Sequence, residues 1–122
     1  MEKYPQKISL AIFLTAIMPD TEHGPSQRLY TGNTMVRPGS LFIEDLHKIK
    51  KFTDEGFGSV ARVYVVCEQD KCIPPEFQRW MIENNTVKEV KVIEEADHMP
   101  MFSAPEKLCK CLLEIAASKY ST

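Results

Sequence analysis

The sequence has no excess of positive charge and no long apolar run, and each absence excludes a class of partner. Its 15 basic and 17 acidic residues give a formal net charge of −2, so we expect neither nucleic acid nor an anionic membrane surface as a partner. The apolar run over residues 8–18 is too short to span a bilayer. The first residues also lack the apolar core and small-residue cleavage site of a secretory signal, so we predict a cytoplasmic protein.

The sequence also lacks the cysteine spacing of a structural zinc site. The four cysteines are Cys67, Cys72, Cys109 and Cys111. Four residues separate the first pair and one separates the second, whereas a zinc knuckle usually has two residues between its ligands. The even count permits disulfides, but without a secretory signal we expect free, reduced thiols. We therefore expect no metal and no cofactor.

What the sequence does contain is an alternation of apolar runs with amphipathic segments. Strands are predicted within residues 8–17, 60–67 and 87–93, and helices over residues 43–52, from 74 to 85 and from 103 onward. Periodicity alone leaves a short buried helix open for the first run. Ser103 and Glu106 fit a capping box at the start of the last helix. The alternation predicts an α/β fold of about three parallel strands with flanking helices.

Residues 20–40 differ in composition from the rest of the chain. They are poor in apolar side chains and rich in Gly, Pro, Thr, Asn and Ser, which are signals for turns. A compact domain seldom contains an irregular stretch of this length. We therefore predict one domain over residues 1–122 in which residues 20–40 form a linker.

An acid and a histidine follow two of the predicted strands. Asp70 comes after the strand at 60–67, and His98 comes after the strand at 87–93. Open α/β sheets carry their chemistry at the carboxyl ends of the strands, so we predict that the two side chains lie close together. An acid followed later by a histidine is also the second half of the serine–acid–histidine order of α/β hydrolases. The Gly-x-Ser-x-Gly motif that carries the serine occurs nowhere in the 122 residues.

Five segments in the second half of the chain carry a family resemblance: 58–64, Asp70-Lys71-Cys72-Ile73-Pro74, 76–80, Ala96-Asp97-His98-Met99 and 112–116. With these segments, residues 58–120 resemble the C-terminal part of the plant methylesterases. This group of α/β hydrolases includes salicylic-acid-binding protein, polyneuridine aldehyde esterase and the hydroxynitrile lyases. Residues 1–5 and 13–16 resemble the segment just after the family's nucleophile, and residues 36–46 resemble the segment just after its cap domain.

The resemblance implies the C-terminal part of an α/β-hydrolase fold, with the nucleophile half missing and the linker in place of most of the cap domain. It implies that Asp70 is the triad acid and that His98 is the general base. From the residues alone, Asp70 fits a strand-end carboxylate that caps a turn or pairs with Lys71, and His98 fits a loop histidine bonded to a carbonyl. Met99 implies the esterase branch, because the hydroxynitrile lyases of this family carry lysine there.

The family's activity is the hydrolysis of methyl esters of small plant hormones, such as methyl salicylate, methyl jasmonate and methyl indole-acetate. Because Ser9, Ser40 and Ser103 lie outside any glycine-flanked elbow, and Cys67 lies within a strand, we expect the chain to be catalytically inactive. Two alternatives stay open. One is an esterase half that works only with a partner supplying the serine. The other is a non-catalytic protein that binds a small aromatic ester or acid, associates with itself or pairs with a full-length relative.

Overall fold

Three parallel strands organise the part of the chain that the structure describes, which is residues 1–22, 48 and 50–120 of a computed structural model. The strands are β1 (Ala11–Leu14), β2 (Arg62–Cys67) and β3 (Glu89–Ile93), in the spatial order β1-β2-β3. Both pairings are parallel. The prediction of an α/β fold with a three-stranded parallel sheet is confirmed, with strands shorter than the apolar runs that predict them.

Three α-helices accompany the sheet: α1 (Pro75–Glu83), α2 (Pro100–Ser103) and α3 (Pro105–Tyr120). Each begins with proline, whose missing N–H costs nothing in the first helical turn. None of these helices, which are those of the described residues, is long and apolar enough to cross a membrane.

The central strand β2 is buried along its whole length because each face of the sheet is covered. On one face, Val63 and Val65 join an apolar cluster with Ile115 of α3. On the other face, Tyr64 and Val66 join a second cluster, which includes the α1 residues Phe77 and Met81. This alternation explains why β2 reads as a continuous apolar run, as expected for a parallel strand between two layers.

The first strand is less covered than the second. Within the described residues, no strand pairs with the outer edge of β1. The side chain of Ile12, in the middle of β1, is 40% exposed. β1 is followed by Thr15, whose φ of 45° is the one positive value among the described residues other than glycine. A β-branched residue rarely adopts this conformation, and β1 ends immediately before it.

The prediction of a capping box at Ser103 is wrong. Ser103 is the last residue of the single turn α2, and the first backbone hydrogen bond of α3 runs from the Leu108 N–H to the Ala104 carbonyl. The Ser103 hydroxyl instead donates to the carboxylate of Asp97, 2.8 Å away. The Ser103 side chain, which the sequence pattern assigns to the helix terminus, therefore makes a contact within the loop instead.

Two further predictions fall mainly on residues that the structure does not describe. The linker at 20–40 lies outside the described residues from residue 23 onward, and the helix predicted at 43–52 lies outside them up to residue 47. Residues 50–53 are described and have no regular structure. A π-helical turn, Asp54–Gly58, follows them.

The N-terminus is attached to this π-helical turn through one carboxylate. Glu2 accepts hydrogen bonds from the backbone N–H groups of Thr53 and Phe57, at 3.1 and 2.9 Å. These bonds lower the pKa of Glu2 below its ordinary value of 4.5. A side chain at Gly56 would overlap the same carboxylate, so the close approach requires glycine there.

Candidate functional site

Asp70 and His98 meet at the carboxyl end of the sheet. Asp70 lies in the loop after β2 and His98 in the loop after β3, and these two strands are neighbours. Atom Oδ2 of Asp70 is 3.0 Å from Nδ1 of His98. The predicted proximity of the two side chains is confirmed, whereas their catalytic roles stay predictions.

The carboxylate of Asp70 is held rigidly in the protein interior. Its side chain has no exposed surface. Its Oδ1 accepts hydrogen bonds from the backbone N–H groups of Cys72 and Ile73, both at 2.8 Å. Asp70 therefore caps the turn, as one interpretation of the sequence predicts, and it contacts His98 as well. The two backbone donors fix one oxygen, and this directs the other oxygen to the imidazole.

Gln78 supports the loop that carries Asp70, and the sequence pattern gives it no role. The side chain is completely buried on α1. Its Oε1 accepts from the Cys67 N–H, and its Nε2 donates to the carbonyls of Cys67 and Ile73. A polar residue next to Phe77 on the inward side of an amphipathic helix is the signal that marks such a position.

The loop that carries His98 is closed by hydrogen bonds around Asp97. The Asp97 carboxylate accepts from the Met99 N–H and from the Ser103 hydroxyl, and the Asp97 N–H donates to the Ser103 hydroxyl oxygen. Two of these bonds lower the pKa of Asp97: the bond from the Met99 N–H has the largest effect, and the bond from the Ser103 hydroxyl has the next largest. This ring of bonds sets the backbone on both sides of His98.

His98 itself is more accessible than its partner. Its side chain is 38% exposed, and its Nδ1 is the ring atom that faces Asp70. In residues 1–22, 48 and 50–120, we find no hydrogen bond to the other ring nitrogen, Nε2. An imidazole oriented by a buried carboxylate through Nδ1 is the arrangement in which Nε2 acts as a general base.

Two other candidate side chains, those of Cys67 and Ser103, do not join this site. Cys67 is fully buried, and burial raises the pKa of its thiol to about 11, so it is protonated at neutral pH. Ser103 is committed to Asp97. Ser40, together with His23 and His47, to which the sequence pattern gives no role, lies outside the described residues.

Cys72 is a third chemically active group beside the pair, and sequence reasoning missed it. One oxygen of Asp70, the sulfur of Cys72 and one ring nitrogen of His98 all lie within 4.8 Å of one another. Spacing between cysteines is the usual signal for such a cluster, but these three residues come from two different loops. Only the pairing of β2 with β3 brings them together.

Comparison with known proteins identifies the class. The Alpha/beta hydrolase family model matches residues 10–110, and the chain belongs to this family. Within it, the chain is 42% identical to Methylesterase 1 of Arabidopsis thaliana, with 95% of this chain and 63% of the relative matched. It is 43% identical to Salicylic acid-binding protein 2 of Nicotiana tabacum, over 95% of this chain and 64% of the relative.

A solved structure agrees with this assignment. The crystal structure of polyneuridine aldehyde esterase superposes with a TM-score of 0.88 at 36% sequence identity, covering 95% of this chain and 65% of that chain. The polyneuridine aldehyde esterase of Rauvolfia serpentina is also similar in sequence, with 37% identity. The resemblance to the plant methylesterase group and the fold that it implies are thus confirmed.

The match covers only part of each relative. The chain spans about 63% of the length of Methylesterase 1. The matched stretch of 165 residues is nevertheless longer than this chain of 122 residues. The relative therefore contains, within the matched stretch, residues that have no counterpart here.

Proposed function

We propose that this chain carries the acid–base part of a methylesterase-like carboxylic ester hydrolase. The substrates would be methyl esters of small plant acids such as salicylic, jasmonic or indole-acetic acid. The contact between the buried Asp70 carboxylate and Nδ1 of His98 supports the proposal most directly. The identity of 42–43% to a methylesterase and to a salicylic acid-binding protein supports the substrate class.

In the proposed chemistry, Nε2 of His98 takes the proton from an attacking hydroxyl group. Asp70 stays ionised, holds the imidazole in the correct tautomer and stabilises the imidazolium that forms. The nucleophile and one backbone donor for the developing oxyanion belong to a Gly-x-Ser-x-Gly elbow, which these 122 residues do not contain, and the other donor belongs to an earlier loop of the family fold. We therefore propose that the chain alone turns over no ester.

The alternative of an esterase half that needs a partner has support from the sheet. In the described residues, the outer edge of β1 has no strand beside it, and Ile12 is 40% exposed. A segment that carries a strand and a serine elbow would pair with this edge. The length of the matched stretch in Methylesterase 1 supports the proposal that the linker at 20–40 replaces most of a cap domain.

We also propose that the protein works in the reducing environment of the cytosol. All four cysteines, two buried and two exposed, are free thiols in the structure. Exposed free thiols persist where glutathione and thioredoxin keep cysteine reduced.

The test is an assay of methyl salicylate and an aryl ester, first with the purified chain and then with the serine-bearing N-terminal segment of Salicylic acid-binding protein 2 added in trans. The chain alone should match a His98→Ala variant at background. With the added segment, any turnover should disappear in His98→Ala and persist in Glu95→Gln, an exposed acid of the same loop. Turnover by the chain alone that requires His98 would contradict the proposed inactivity. Turnover in trans that survives His98→Ala would contradict the proposed base.

A further inference from the structure

We propose that Asp70, Cys72 and His98 form a Zn²⁺-binding site. The three side chains offer one oxygen, one sulfur and one nitrogen ligand, and these atoms lie within 4.8 Å of one another. A bound ion would replace the hydrogen bond between Asp70 and His98, so the zinc-loaded chain could not use this pair in the proposed esterase chemistry; the inference concerns the metal affinity of the chain as it stands. It differs from the expectation drawn from cysteine spacing, which considers only sites built from several cysteines.

The set of ligands suits zinc. Zinc binds cysteine sulfur, histidine nitrogen and carboxylate oxygen, and sites with three protein ligands hold water in the fourth position. A purely oxygen-binding ion such as Mg²⁺ would not use the thiol. On binding, the Cys72 thiol releases its proton to solvent and the sulfur forms the bond to the metal. The thiolate, the Asp70 carboxylate and a neutral imidazole then balance the double charge of the ion.

The geometry requires only a small adjustment. Ligand atoms at zinc bond lengths of about 2.0–2.3 Å lie about 3.3–3.8 Å apart around a tetrahedral ion. Oδ2 of Asp70 and Nδ1 of His98 are already 3.0 Å apart. Cys72 is exposed and His98 is 38% exposed. Rotation of either side chain can therefore shorten the distance between the Cys72 sulfur and the His98 ring nitrogen without disturbing the core.

The surroundings of the cluster orient its least mobile ligand. Oδ1 of Asp70 is fixed by the N–H groups of Cys72 and Ile73, which is how hydrogen bonds outside a metal site commonly hold a ligating carboxylate. The bond from Cys72 also ties the backbone of the cysteine to the carboxylate two residues earlier. Solvent reaches the other side of the cluster through the exposed thiol and imidazole.

The experiment titrates the purified, reduced chain with Co²⁺ as a spectroscopic substitute for Zn²⁺. We expect a thiolate-to-cobalt charge-transfer band and the visible bands of a four-coordinate ion, both of which disappear when Zn²⁺ is added. Loss of a hydrogen-bonding partner outside a metal site typically lowers the metal affinity roughly 10- to 100-fold. Cys72→Ala and His98→Ala remove ligands themselves, so each should lower the affinity by more than this. Cys109→Ala, which removes the other exposed thiol, should leave the spectrum and the affinity unchanged.

A second measurement needs no variant and therefore does not depend on variant folding. The wild-type chain is alkylated with iodoacetamide with and without Zn²⁺, and the modified cysteines are mapped by mass spectrometry. Zn²⁺ should slow the labelling of Cys72 at least tenfold and leave that of Cys109 unchanged. Equal labelling of Cys72 in both conditions, or a cobalt spectrum that survives in Cys72→Ala, would overturn the proposal. Neither outcome bears on the proposed esterase chemistry.

Discussion

The side-chain amide of Gln78 bonds to both the N–H and the carbonyl of Cys67, the backbone groups that point away from β3, and it shares the carbonyl with the N–H of Asp70. Its oxygen accepts from the Cys67 N–H and its nitrogen donates to the Cys67 carbonyl, each at 3.0 Å. The register explains this, because β1 ends opposite Val65 and does not extend as far as Cys67. One side chain of α1 therefore takes the place of a missing strand residue just before the loop that carries Asp70.

Replacement of Gln78 by leucine is predicted to destabilise the protein. The Cys67 N–H and the Ile73 carbonyl would lose their buried partner, while the Cys67 carbonyl would keep the bond from the Asp70 N–H. A buried group left without a hydrogen bond costs about 1–3 kcal/mol, so the free energy of unfolding should fall by at least about 2 kcal/mol. Urea denaturation measures this. The matched control is Gln69→Leu, an exposed amide with one bond to a carbonyl, which should change stability little; equal effects would contradict the assigned role.

Substitutions of Asp70 should separate its backbone contacts from its charge. Asp70→Ala leaves the N–H groups of Cys72 and Ile73 without their acceptor, and bonds to a charged group contribute about 1.5–3 kcal/mol. Asp70→Asn keeps an oxygen for these donors. We expect chemical denaturation to show a clearly larger loss for alanine than for asparagine. Equal losses would mean that the charge, rather than the accepted bonds, stabilises the loop.

The carboxylate of Glu2 is predicted to make stability depend on pH. Hydrogen bonds from Phe57 and Thr53 lower the pKa of Glu2 in the folded protein below the ordinary value of 4.5. The stabilising effect of the carboxylate is therefore complete above pH 4.5, and it is lost as the pH falls through the lower pKa of the folded state. Glu2→Gln should therefore lower the melting temperature at neutral pH, and the difference from the wild type should shrink below pH 4.5.

The control is Glu55→Gln, which removes an exposed carboxylate from the same π-helical turn. At neutral pH it should change the melting temperature less than Glu2→Gln does. A Glu2→Gln difference that stays constant between neutral and acidic pH would show that the N-terminal contact does not titrate as described.

The outer edge of β1, which has no strand beside it in the described residues, predicts self-association when the chain is made alone. An unpaired apolar strand is a template for pairing with another chain, and Ile12 lies in the middle of this one. Light scattering should detect growth in size with concentration, and Ile12→Lys should reduce it. Val92→Lys, which puts the same charge at a half-exposed position on the other outer strand, should have the smaller effect. A monodisperse wild-type monomer with a single cooperative melt would contradict this prediction.

The sequence predicts the sheet and the meeting of Asp70 with His98, because both depend on simple regularities. Apolar runs mark strands between two layers, and the carboxyl ends of neighbouring parallel strands lie together. Strand limits are less predictable. Residues 8–10 belong to the apolar run, yet β1 begins at Ala11. A 3₁₀ turn at Pro5–Lys7 precedes the strand, and the chain aligns with β2 only from Ala11 onward.

The contacts that the sequence does not reveal all depend on a choice between partners. Ser103 has the spacing of a helix cap, but its hydroxyl bonds to Asp97 in the folded loop. Gln78 resembles an ordinary polar helix residue until α1 is packed against β2. Cys72 comes near His98 only through strand pairing. Local spacing determines which bonds are possible, and tertiary packing selects among them.

The unequal anchoring of Asp70 and His98 has an evolutionary consequence. Asp70 is required by the architecture of its loop whether or not any chemistry takes place, so natural selection for a folded chain would retain it even in a lineage released from catalysis. His98 is partly exposed, and within the described residues its side chain makes one hydrogen bond, to Asp70, so it would drift in such a lineage. Among orthologues of this chain, the histidine is therefore the informative character. Conservation of His98 among them would indicate selection for proton transfer or metal binding, whereas conservation of Asp70 is explained by selection for folding alone.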